Sequence, residues 1–144
     1  MSTPATPRQF ALQLVAASQY LAQRLDARLG SLRGVSFAEY RLLATLADQP
    51  AARASRVVLA RTLGLTPSGV TRALKPMEKL GIVATVKSKR DARLAIAGLT
   101  PAGRRLLNEA STIVDETLHD LVAAASLKPD EMRSVIQVLA KLTR

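Results

Sequence analysis

The sequence predicts a mainly α-helical protein: a winged helix-turn-helix with N- and C-terminal helices that form a dimerisation domain. Three observations carry this reading. The apolar residues, 48% of the 144, include few aromatics, and a core drawn from Leu, Ala, Val and Ile favours helices. Long helical patterns occupy both ends of the chain. Between them, a short helix, a glycine turn and a second helix run directly into a hairpin crowded with Lys and Arg.

The elements follow in order. Residues 1–7, with two prolines among small polar residues, read as a disordered arm. From Arg8 to about Leu32, Phe10, Leu14, Ala17, Leu21, Leu25 and Leu29 recur every three or four positions, one face of a helix. Ser36 and Glu39 form a capping box for a helix over 37–47. "DQPAARA" (48–54) reads as a loop. Ser55 caps a short helix over 56–63, and Gly64 ends it with a left-handed backbone. Thr66 caps the next helix and Pro67 takes its first position, where a missing amide costs nothing. Gly81 closes that helix. "IVATVK" (82–87) and "RLAIAGL" (93–99) pair as a hairpin. Thr100-Pro101 repeats the Thr-Pro device and opens a long helix with Leu107, Ala110, Ile113, Val114, Thr117 and Leu121 on its stripe. Pro129, Asp130 and Glu131 open the last helix, whose stripe is Met132, Val135, Ile136, Leu139 and Leu142. The reading head thus spans 33–102. The terminal regions 8–32 and 103–144 carry stripes too large for one small domain to cover, and such stripes mark an interface.

The charge balance selects the partner. Lys plus Arg number 21 against 11 Asp plus Glu, a net charge of +10. Such an excess points to an anion, with double-stranded DNA the first candidate. The chain has no cysteine, which excludes disulfides, thiol sensing and thiolate-bound zinc. "MSTPATPRQF" lacks the apolar core of a signal peptide, and no run reaches the roughly 18 apolar residues of a membrane span. A soluble, cytoplasmic protein is expected. A single histidine and scattered acids offer no nucleophile–base pair and no metal cluster. No catalytic residue, metal or cofactor is expected.

In a helix-turn-helix the second helix enters the major groove, N-terminal residues first. Thr66, Ser68, Gly69, Thr71, Arg72 and Lys75 occupy those turns. Arg72 is the best base reader, because a guanidinium pairs with guanine O6 and N7 together. Gly69 lets the backbone approach closely. Pro76 deletes the bond to the Arg72 carbonyl, so a bend is expected near 72–76; whether it aims the helix or is merely tolerated stays open. "KSKRDAR" gathers Lys87, Lys89, Arg90 and Arg93 around Asp91 at the hairpin tip, which suits the minor groove or adjacent phosphates. Asp91 orients a neighbouring arginine. Arg56 adds a phosphate contact beside the short helix. Arg24, Arg28 and Arg41 on the first two helices are candidates for holding an acidic effector. His119 is a packing or surface residue.

"LARTLGLTPSGVTRALKPMEKLGIV", then "RDAR", then "LTPAG", preceded by "VSFAEYRLLATL", resemble the MarR family of bacterial transcription regulators across nearly the whole chain. The most specific marker is Asp91-x-Arg93 shortly before Leu99-Thr100-x-x-Gly103. The resemblance implies a homodimer with interdigitated terminal helices, binding to a palindromic operator, and release by a small molecule, often an aromatic acid, held between the dimer helices and the reading head. Carried over, Arg93 is the minor-groove arginine, Asp91 its support, and Ser68, Thr71 and Arg72 fall on recognition-helix contact positions. Two positions depart from the family. Thr85 stands near where an arginine is common on the first wing strand, and Val58 replaces the carboxylate that usually completes the short helix's capping box. A winged-helix adaptor that dimerises or docks proteins without reading DNA is the alternative function.

Overall fold

A computed structural model of the chain describes residues 4–87, 90 and 94–144. Six helices and a three-stranded sheet follow in the order α1 (Pro7–Arg33), α2 (Phe37–Ala47), a 3-10 turn (Pro50–Ala52), β1 (Arg53–Ser55), α3 (Arg56–Leu63), α4 (Pro67–Lys79), β2 (Val83–Lys87), β3 (Ala95–Leu99), α5 (Pro101–Ala124) and α6 (Pro129–Leu142).

The helix starts follow their caps. Thr6, Thr66 and Thr100 each precede a proline and accept a bond from the backbone N–H three residues on. The first of these pairs lies inside the segment expected to be an arm, so α1 begins at Pro7, with Gln9 completing the box at Thr6. Ser36 and Ser55 cap α2 and α3 in the same way. At Ser36 only half of the expected box forms: the serine oxygen accepts from the Glu39 N–H.

The expected loop over 48–54 contains a strand. Ala51 and Ala52, at φ 55° and 51°, turn the chain out of α2, and β1 then pairs antiparallel with β3, Ala54 opposite Ala97. The sheet order is β1-β3-β2. The central strand β3 therefore buries Ala97 and Gly98.

Two apolar clusters hold the chain. The first joins Leu42, Leu43 and Leu46 of α2, Leu59 of α3, Val70, Leu74 and Met77 of α4, Val83 of β2 and Leu107 of α5. Each such side chain, removed from water, stabilises by roughly 1.5–3 kcal/mol. The second joins Leu25 and Leu29 of α1 to Ala110, Ile113 and Val114 of α5, and Tyr40 packs against both clusters. The Tyr40 hydroxyl lies 3.1 Å from Ser111 Oγ, and Asp26 accepts the Phe37 N–H at 2.6 Å. These contacts seat α2 on α1 and α5.

The rest of α1 and all of α6 lack such cover. No residue of α6 is buried, and Val135, Ile136 and Leu142 are each more than half exposed. Phe10, Leu14 and Ala17 face Val135, Val138 and Leu139 across an apolar groove of about 360 Å³.

Candidate nucleic-acid interface

The turn between α3 and α4 is set by two residues. Gly64 ends α3 at φ 66°, its N–H bonded to the Ala60 carbonyl. Thr66 then starts α4, its Oγ1 accepting from the Gly69 N–H at 3.0 Å. Val70, Leu74 and Met77 are buried, a spacing that puts them on one side of the helix. The opposite side carries Ser68, Arg72 and Lys75, all exposed, at the same i, i+4, i+7 spacing. Among the described residues, neither Arg72 nor Lys75 has a carboxylate within ion-pair distance. Thr71 is half-buried, and its hydroxyl donates back to the Pro67 carbonyl at 3.1 Å. The helix continues through Pro76 to Lys79.

Gly69 has a local reason beside the one read from sequence. A Cβ there would stand 3.2 Å from Thr66 Oγ1, so a side chain would press on the cap that starts the helix.

The hairpin rises beside this helix, with Val83 opposite Leu99 at its root and Lys87 opposite Ala95 near its tip. Lys87 and Arg90 are exposed. Lys89, Asp91 and Arg93 lie outside the described residues. The root is tied to α5: Thr100 Oγ1 lies 2.6 Å from the Gly81 carbonyl and 2.9 Å from that of Ile82, and it accepts from the Gly103 N–H at 3.0 Å.

Arg56 does not point outward. Its Nη1 donates to the Ala95 carbonyl at 3.4 Å, its Nη2 lies 3.9 Å from Glu78 Oε1, and its side chain is 20% exposed. The same Glu78 carboxylate accepts a hydrogen bond from Thr85 Oγ1. Glu78 has no local pattern that announces this role, because the contact joins three separate elements, and Thr85, which stands out in the sequence only as a departure from the family, is its partner.

The three arginines considered for an effector are exposed on α1 and α2. Arg28 borders a depression of about 520 Å³ lined also by Asp115, Glu116, His119 and Asp120. Three carboxylates facing one guanidinium repel an acidic ligand rather than attract it. His119 is exposed there. Among the described residues, no group of three or more His, Cys, Asp or Glu is placed to hold a metal ion, and no helix is long and apolar enough to cross a membrane.

The model of the MarR family matches residues 33–94. No curated protein sequence matches the chain significantly. Among solved structures, Sco3205, a MarR family transcriptional regulator of Streptomyces coelicolor in complex with DNA, superposes with a TM-score of 0.84 at 24% identity, over 99% of this chain and 89% of its own. A mutant of MarR from E. coli complexed with operator DNA gives 0.80 at 22% identity, over 92% and 91%. BpsR of Bordetella bronchiseptica, whose DNA binding is regulated by 6-hydroxynicotinic acid, gives 0.81 at 19% identity, over 99% and 98%. Residues 33–94 of this chain thus match the model of the MarR family, and the chain as a whole has the fold of the MarR family transcriptional regulators on which it superposes.

Proposed function

We propose that the chain is a sequence-specific DNA-binding regulator that works as a homodimeric repressor on a palindromic promoter site. The observation that carries this reading is α4: its buried side is locked into the core, while Ser68, Arg72 and Lys75 face outward together. Thr66, Gly69 and Thr71 complete the groove-facing turns, and Lys87, Lys89, Arg90 and Arg93, with Asp91 in support, serve the wing. The reading head is 33–102. Regions 8–32 and 103–144 pair with a second copy, which covers the exposed stripe of α6. The repressor releases its site when a small molecule, an aromatic acid, enters between the dimer helices and the reading head, a reading supported by the regulation of BpsR's DNA binding by 6-hydroxynicotinic acid. Arg24 and Arg41, which do not line the acidic depression beside Arg28, are the candidates to meet its carboxylate.

The test is binding of the purified protein to labelled DNA from its own upstream region, over a salt series, with scrambled DNA as competitor. A dimer that neutralises about ten phosphates gives a slope of log affinity against log salt near −9. A flat slope with no preference over scrambled DNA would favour the adaptor reading instead. The dimer has its own check. Ile136→Asp places a charge on the most exposed large apolar residue of α6, 65% accessible, and is expected to shift the protein toward monomer in sedimentation while the helical circular dichroism persists.

A further inference from the structure

Glu78 is an acid on the helix proposed to enter DNA. Its carboxylate accepts from Thr85 on β2 and lies 3.9 Å from Arg56 Nη2 of α3. Arg56 in turn donates to the carbonyl of Ala95 on β3. One side-chain set therefore spans the last turn of the recognition helix, the first turn of the short helix and both strands of the hairpin. The Arg56 and Glu78 side chains are only 20% and 30% exposed, so solvent competes with their ion pair less than at an open surface, whereas Thr85 is exposed.

We propose that Glu78 is a positioning residue: through Arg56 and Thr85 it fixes the angle between the hairpin and α4, so that wing and recognition helix reach adjacent grooves together. This rests on the DNA-binding reading above. It also reassigns Arg56. That guanidinium serves inside the clamp and makes no phosphate contact, contrary to the expectation from sequence.

The clamp and simple electrostatics predict opposite signs. Removing a negative charge from a DNA-facing surface strengthens binding if charge alone matters. Removing a clamp weakens it, because the wing must then be ordered on binding.

The probe is a duplex recovered from a random-sequence library by selection on the wild-type dimer. Glu78→Ala and Arg56→Ala are each expected to weaken binding about tenfold, the scale of a lost hydrogen bond to a charged group. The double variant is expected to lose no more than either single one, as members of one network do. The salt slope should stay at the wild-type value, and footprinting should lose minor-groove protection while major-groove protection remains. Thr85→Val, which keeps the shape and deletes the donor, should show a smaller loss of the same kind. Equal or tighter binding by Glu78→Ala overturns the proposal. So does a fall in salt slope of about one per Arg56 removed, the mark of a phosphate contact. Amide exchange in the free protein separates this from the DNA reading. Glu78→Ala should speed exchange at Thr85–Lys87 and at Ala95 while the α4 core amides stay protected. If selection enriches no sequence, the DNA-binding function fails, and unchanged exchange in the hairpin still refutes the clamp on its own.

Discussion

Arg72→Ala is expected to lower operator affinity by about 1–3 kcal/mol per half-site, hence about 2–6 kcal/mol for a symmetric dimer, and to relax selectivity at the base it reads. The reason is geometric. Arg72 lies one turn after Ser68 and one turn before Lys75 on the exposed side of α4, and Val70, Leu74 and Met77 lock the other side against the core. A helix held this way is already ordered before binding, which leaves the rotamer ordering of the guanidinium, about 0.5–1.5 kcal/mol, as the main local cost. Competition with base-substituted duplexes separates specific from general loss. If Arg72→Ala weakens matched and scrambled DNA by the same factor, Arg72 is a phosphate contact and the base-reading role must pass elsewhere. Melting should be unchanged, since the side chain touches none of the core.

Gly103→Ala should have the largest effect on stability. A Cβ at this position would overlap the Ile82 carbonyl oxygen and stand 2.8 Å from Leu99 Cδ1. The carbonyl cannot step aside cheaply, because it also accepts the Thr100 N–H at 3.1 Å and faces the Thr100 hydroxyl. The start of α5 would have to leave the hairpin root. A cost above about 3 kcal/mol, or a drop in melting temperature of about 10 °C, is expected. Gly30→Ala is the matched control. It lies within α1 with open space around it, so alanine should stabilise by up to about 1 kcal/mol through helix propensity. Two glycine-to-alanine changes of opposite sign in thermal melting would support this account. A Gly103→Ala protein that melts with wild type would show that the junction yields more readily than its bonds imply.

The parts legible in the sequence were those decided locally. Caps depend on residues three apart, so α2, α3, α4 and α5 start where Ser36, Ser55, Thr66 and Thr100 place them. Glycine at φ 66° after α3 needs no partner to be read. Thr6-Pro7 carries the same signal, but Pro4 and the small polar residues around it give the same stretch the composition of an arm. β1 escaped because three residues, Arg53 to Ser55, hold no period of their own; they become a strand only by pairing with β3, some 40 residues on. Arg56 escaped for the same reason. Charge near a DNA-binding helix reads as outward-facing until Glu78 and the Ala95 carbonyl are brought beside it. The position of α4 and its cationic face follow from residue spacing, but the inward turn of one arginine is a tertiary fact.

The longest consequence comes from α5. Its 24 residues make a rod of about 36 Å. Leu107 sits in the core of the reading head, while Ala110, Ile113 and Val114 sit in the cluster with α1. Its first residue follows Thr100, which grips the root of the hairpin just past the end of α4. No loop intervenes to absorb motion. A tilt of about 10° about the α1 cluster moves the first residue of the helix, about 17 Å away, by about 3 Å. Base readout depends on donor–acceptor distances of about 2.7–3.2 Å, so a displacement of that size is enough to lift a guanidinium out of register. The helix is therefore a lever arm, with its fulcrum in the α1 cluster and its load at the hairpin root. If α5 pivots there as a rigid rod, a shift among the terminal helices is expected at the hairpin root without any change of fold.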